Sequence, residues 1–163
     1  MNNYLIFKAI HILAVVAFLG NITTGLFWMR LARKTNDVGI IQHTVSGVIV
    51  SDKFFTIPGV IIITAFGIGA AIFAGYPLLC TGWIFWPLIL FTLSGIFFAF
   101  KVVPLQLKMK RYLQELSVNV PFEINFFNRI FRQWEFWGLL ALITPVLSFF
   151  LMILKWPSFS PFS

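Results

Sequence analysis

Residues 5–29 read LIFKAIHILAVVAFLGNITTGLFWM, and Lys8 is the single charge in that run. A bilayer core of about 30 Å is crossed by about 20 apolar residues in helical form. The run is long enough to cross. It is also longer than a secretory signal core, and no small-residue cleavage site followed by a soluble domain appears, so it reads as a retained spanning helix. Working outward, Phe54–Ala74, Trp83–Val103 and Trp134–Leu154 meet the same length test. A helix bonds its own backbone groups, which lipid requires. The alternating polarity of barrel strands is absent. The expected fold is all-α: a polytopic membrane protein, a four-transmembrane-helix bundle. It is expected as a single membrane domain over 1–163, with helices approximately at 5–29, 54–74, 83–103 and 134–154.

Composition agrees. Of 163 residues, 60% are hydrophobic and 10% charged, and the mean hydropathy is +0.93. Soluble domains carry about 25% charged residues, and disorder needs low hydrophobicity. Both classes are excluded. The net charge of +7 would suggest nucleic acid in a soluble chain, but here the basic residues flank apolar runs and report topology. Arg30, Arg33, Lys34, Lys53, Lys101, Lys108, Lys110, Arg111, Arg129 and Arg132 fall on one side of the expected membrane; Lys8 and Lys155 fall on the other. The positive-inside rule then places the first and third loops in the cytoplasm and both termini outside. Nucleic acid is not an expected partner. The lipid bilayer is, along with a possible protein partner or a homo-oligomer. Trp28, Trp83, Trp86, Trp134, Trp137 and Trp156 lie near span ends, as an aromatic belt does.

The loops carry structure of their own. Ile40–Val50 is apolar, so it either lies in the interface or extends the second helix inward. Leu105–Leu116 reads as the third helix leaving the membrane, and Asn119, Pro121 and Asn128 mark a break before the fourth. The tail from Trp156 is proline-punctuated and irregular. Gly67, Ala71 and Gly75 form a small-residue stripe for close packing, with room for a flat cofactor. Pro58 and Pro87 suit first-turn positions, and Pro145 falls inside the fourth helix, where it kinks the rod.

Few polar groups lie within the spans, and such groups are functional candidates by default. His11 sits in the outer half of the first helix, where an imidazole can hydrogen-bond, carry a proton or ligate haem iron. Asn21 lies deeper and reads as interhelical glue. His43 falls on the cytoplasmic side, so two histidines cannot flank one haem within this chain. Met152 and Lys155 have the right depth to approach His11, and methionine is an accepted haem partner. Asp52 reads as a cap at the start of the second helix, or as a partner for a basic residue of the third loop. Arg132 and Glu135 suggest a local pair. Cys80 is the single cysteine, so it forms no intramolecular disulfide, and no metal cluster is expected from Cys/His spacing. No hydrolase elbow, phosphate loop or paired-carboxylate pattern occurs.

Several stretches together resemble bacterial predicted integral membrane proteins of the domain of unknown function 2269 family. They are FKAIHILAVVAFLGNITTGLFWMR, SDKFFTIPGVIIITAFG, VVPLQLKMKR and RQWEFWGLLALITPVLSFFLMILKWP. The most specific pieces are His11 with Gly20, the Asp52, Phe55, Thr56, Pro58 and Gly59 motif, Pro104 with Gln106, Trp134 with Gly138, and Lys155 with Pro157. That resemblance implies a bacterial inner-membrane protein and carries no reaction. The first helix, with Lys8, His11 and Gly20, is also similar to that of HemJ-type protoporphyrinogen oxidases and CopD-type membrane proteins. In the HemJ-type family a first-helix histidine is implicated in haem binding, and the carry-over lands on His11 alone. The leading expectation is therefore a small redox or porphyrin-handling protein that binds haem b through His11, with Met152 as a second candidate ligand. The alternatives are a non-enzymatic assembly or accessory protein, and a copper-handling protein using His11, Met152 and Cys80.

Overall fold

The four apolar runs form four helical rods in the computed structural model, which describes residues 3–116 and 122–159. The first rod is α1 (Asn3–Thr35). A left-handed residue, Asn36 (φ 55°), turns the chain. The Asp37 carboxylate then accepts from the Ile40 N–H at 3.0 Å and caps α2 (Val38–Ser51), which satisfies one of the donors that every helix start leaves open. The apolar stretch Ile40–Val50 is thus part of the second rod, whose start lies well before the expected Phe54. That rod continues through a π-helical turn, π1 (Asp52–Thr56), into α3 (Ile57–Phe73). The third rod is α4 (Gly82–Phe97), a second π-helical turn π2 (Phe98–Val102), and α5 (Val103–Glu115). The fourth is α6 (Ile124–Leu154). All four rods are long and apolar enough to cross a membrane, at 31 to 36 residues each. At 1.5 Å per residue they run about 45–55 Å, so each projects well past a hydrocarbon core. No strand occurs among the described residues. Of the break read at Asn119, Pro121 and Asn128, the first two lie outside the described residues, and Asn128 lies inside α6, which starts well before the expected Trp134.

Each π-turn ends two residues before a proline. Ile57 N–H donates to the Asp52 carbonyl and Val103 N–H to the Phe98 carbonyl, and Pro58 and Pro104 follow. A proline inside a helix donates no hydrogen bond, and its ring presses on the carbonyl four residues back. Widening the preceding turn by one residue relieves that pressure, the usual form of a π-bulge. Pro58 is therefore mid-rod, not in a first turn.

The rods alternate in direction, so the chain has a terminal end (Asn3, Phe73, Gly82, Leu154) and a basic end (Thr35, Val38, Glu115, Ile124). They pack chiefly as two pairs, α1 on α3 and α4 on α6. Gly59 packs against Phe18, where a Cβ would be in ordinary van der Waals contact, 3.4 Å from the ring. Across the other pair, Ser94 Oγ donates to the Ala141 carbonyl at 2.6 Å and Ser148 Oγ to the Pro87 carbonyl at 3.2 Å. Ala141 is the residue whose carbonyl Pro145 leaves without its helical donor, so Ser94 supplies the missing bond. The pairs meet at the basic end. There Leu26, Met29, Ile41, Val45, Met109, Leu113, Phe127, Ile130, Phe131 and Trp134 form one buried apolar cluster. Trp134, read as a belt residue, is only 3% exposed and belongs to that core. The main core thus lies toward the basic end, and the terminal end is more open.

Candidate functional site

Between the two helix pairs, at the terminal end, lies a cavity of about 550 Å³. Small-molecule sites run from about 300 to 1,000 Å³ and are mostly apolar with a few placed polar groups. This one fits that description. Its walls include Val15, Phe18, Ile63, Ile84, Phe91 and Phe149, and its polar groups include Tyr4, Lys8, His11, Thr64, Ser148 and Lys155. Phe18 and Phe91 meet across the pairs with ring centroids 5.6 Å apart.

His11 is the best-defined polar group on this wall. Its Nδ1 lies 2.8 Å from the Ile63 carbonyl oxygen. A carbonyl can only accept, so Nδ1 carries the proton and the neutral ring keeps a lone pair on Nε2. Nε2 has no hydrogen-bond partner among the described residues. The ring edge rests on Gly67, where a Cβ would stand 2.8 Å from both Cε1 and Nδ1. Glycine is thus what admits the imidazole. Of the expected small stripe, Gly67 and Ala71 line the cavity, joined by Ala70, whereas Gly75 lies beyond the end of α3 with φ 75° and is not on the wall. A ring nitrogen held through its neighbour by a backbone carbonyl is the usual support of a metal-ligating histidine.

Met152 lines the same cavity, as depth counting along the rods suggested. Lys8 and Lys155 do as well, the first with its ammonium 5.6 Å from the centroid of Tyr4 and the second 5.7 Å from that of Trp83. Lys155 holds a left-handed conformation (φ 50°) at the end of α6. Beyond it the non-helical tail lies on the start of α4, where any Cβ at Gly82 would run into the carbonyl oxygens of Pro157 and Phe159. Cys80 is exposed and is not on the cavity wall. His43 is exposed on α2, at the opposite end from His11. Among the described residues no group of three or more His, Cys, Asp or Glu side chains is placed to hold a metal.

A second polar centre lies farther along the rods. Asp52, 8% exposed, opens π1. Its Oδ1 accepts from Asn21 Nδ2 at 3.0 Å and Thr56 Oγ1 at 2.7 Å, and its Oδ2 accepts from Gln106 Nε2 at 2.8 Å. Asn21 Nδ2 also donates to Thr56 Oγ1 at 2.9 Å, and Ser51 Oγ donates to Asn21 Oδ1. Three rods are tied by one carboxyl group. Asp52 is neither a cap nor the partner of a basic residue: the second rod begins at Val38, and the donors are neutral. Asn21 does act as interhelical glue. Of the quoted motif, Thr56 is buried at 1% and Gly59 is buried, whereas Phe55 is 54% exposed on the outside of the bundle. The expected Arg132–Glu135 pair is not what forms. Glu135 bonds Arg30 Nε at 2.5 Å, joining α6 to α1.

The model of the family described as "Predicted integral membrane protein (DUF2269)" matches residues 5–156. The chain belongs to that family. The match takes in all four spanning rods, both π-turns and both polar centres, so the DUF2269 assignment covers the whole arrangement described above. No curated protein and no solved structure matches the chain.

Proposed function

We propose that this protein is a haem- or porphyrin-binding redox protein of the bacterial inner membrane, with His11 as the iron ligand in the terminal-end cavity. One observation carries the reading. His11 is fixed through Nδ1 by the Ile63 carbonyl, its Nε2 has no hydrogen-bond partner among the described residues, and it borders an apolar cavity of about 550 Å³. The donor set fits haem b. An imidazole is available as first ligand, Met152 lines the same cavity as a possible second, and Lys8 and Lys155 offer positive charge to a ligand's carboxylates. Bound haem would supply one-electron chemistry at iron, with a potential set by the second ligand and by burial. The chain's part is to seat the macrocycle, exclude water through Phe18, Phe91 and Phe149, and orient the imidazole.

The charge distribution supports an orientation with the cavity facing outward: ten basic residues lie toward the opposite end or its loops, against Lys8 and Lys155 at the cavity. Copper handling has less support, because Cys80 is exposed and not on the cavity wall that His11 and Met152 share. The test is a titration of the purified protein with haemin, followed in the visible spectrum. A saturable Soret band at one equivalent is expected, and His11→Ala should abolish it or change its position. No band, or one indifferent to His11→Ala, overturns the reading.

A further inference from the structure

The Asp52 centre is independent of the cavity, and burial of its carboxyl among helices calls for a reason. An ionised carboxylate in an apolar interior is costly unless paired, and membrane chains keep such groups chiefly where they act. Here the pairing is incomplete. The described residues show no ion pair to Asp52 from any element packed around it. From α1 the facing group is Asn21, from α5 Gln106, and α2 presents Val48 beside it. On π1 itself Lys53 is exposed, and on π2 Lys101 is exposed with its ammonium over the Trp137 ring. Arg30 of α1 is taken up by Glu135 of α6.

Two further features adjoin the carboxyl. A small void of about 20 Å³ is lined by Asn21, Asp52, Gln106 and Trp134 together with apolar side chains. One water needs about 10–15 Å³ of such volume and two or more polar partners. Trp134 is 3% exposed, and its Nε1 is buried without a hydrogen-bond partner among the described residues. An indole N–H can only donate, so it calls for an acceptor. A metal cation beside it would meet the positive end of the N–H dipole, whereas a water would accept from it.

We propose that Asp52, the adjoining void and the Trp134 indole form a reversible proton-binding site, served by a single water. In the ionised state the carboxylate takes its three donors as observed. On uptake, a hydronium ion delivered through the void gives one proton to Oδ2, leaving a water and a neutral carboxylic acid. The group then becomes a donor as well, so the Gln106 N–H bond to Oδ2 weakens, and turning the amide lets its Oε1 accept from the new O–H. One proton thereby changes the bond between the second and third rods. Asp52 itself opens the wide turn π1, and Gln106 follows π2 by one helical turn.

The chain has two aspartates, Asp37 and Asp52, which makes the test direct. The full chain is labelled with ¹³C at aspartate carboxyls and ¹⁵N at tryptophan indoles, placed in lipid bilayers and titrated from about pH 4 to 9. Asp37→Ser, which keeps a capping hydroxyl, assigns the other signal, and Trp134→Phe assigns the indole. The expected result is that the Asp52 carboxyl passes between two charge states and the Trp134 indole signal moves with the same midpoint. A carboxyl signal fixed across the range overturns the proposal. So does an indole signal that ignores the titration, or an Asp52 signal that follows sodium concentration at constant pH. Asp52→Glu, which retains the acid, should keep a coupled indole titration, and its loss there would also count against the site.

Discussion

His11 keeps its place because residue 67 has no side chain. A methyl group at that position would stand 2.8 Å from the imidazole, inside any tolerable contact, so Gly67→Ala should displace the ring from the Ile63 carbonyl. We expect at least a tenfold loss in haemin affinity with little change in helix content, read by Soret titration and circular dichroism. At the second centre, Gln106→Leu removes the donor to Asp52 Oδ2 and strands a buried acceptor. A cost of about 1–3 kcal/mol is expected, measured by denaturant titration in detergent. The two centres differ in how far they can be read from the chain alone. His11 and Met152 are placed together by counting depth from the same end of their rods. Asp52 and Gln106 are 54 positions apart, and their meeting depends on how each rod is rotated about its axis, which hydrophobic runs with no polar face do not record. Glu135 was misassigned for the same reason: a helical neighbour, Arg132, sits nearer in sequence than Arg30, but α1 presents Arg30 across the interface.

Prolines mark the helical elements, and three of them are compensated in two ways. Pro145 deprives the Ala141 carbonyl of its helical donor, and Ser94 on α4 replaces it at 2.6 Å. Ser94→Ala should therefore cost about 0.5–2 kcal/mol, the range for interhelical bonds in membranes. In a Pro145→Ala background the helix can restore its own bond, and the cost of Ser94→Ala should shrink toward zero. A double-mutant cycle by unfolding measures that coupling, and additive costs would contradict the assignment. Pro58 and Pro104 are instead accommodated by π-turns. Those turns were not legible in advance, because a single widened turn leaves no mark on an all-apolar pattern. Their signal was the prolines themselves: Pro58 was read as a first-turn residue because the second rod seemed to start at Phe54, and Pro104 was read only as part of a family motif. The Asp37 cap, which starts that rod at Val38, was available in the sequence as an aspartate after a turn-forming asparagine. Length and hydropathy, by contrast, located every span.

Across the whole molecule, packing quality is uneven along the rods. Phe127, with 0% exposure, is in the basic-end cluster, while Ile153 is 61% exposed at the terminal end. Phe127→Ala should cost about 3–5 kcal/mol, and Ile153→Ala far less, by the same unfolding measurement. The proposed orientation makes its own prediction. Cys80 is exposed in the loop at the terminal end, so a membrane-impermeant maleimide added to intact spheroplasts should label it. Protection until the membrane is opened would reverse the topology. That unevenness leaves the cavity end braced by connections more than by filling: the 74–81 loop ties α3 to α4 there, and Phe18 meets Phe91 across the pairs. A guest of broader girth is therefore limited by that bridge and by those rings, and not by the densely filled far end.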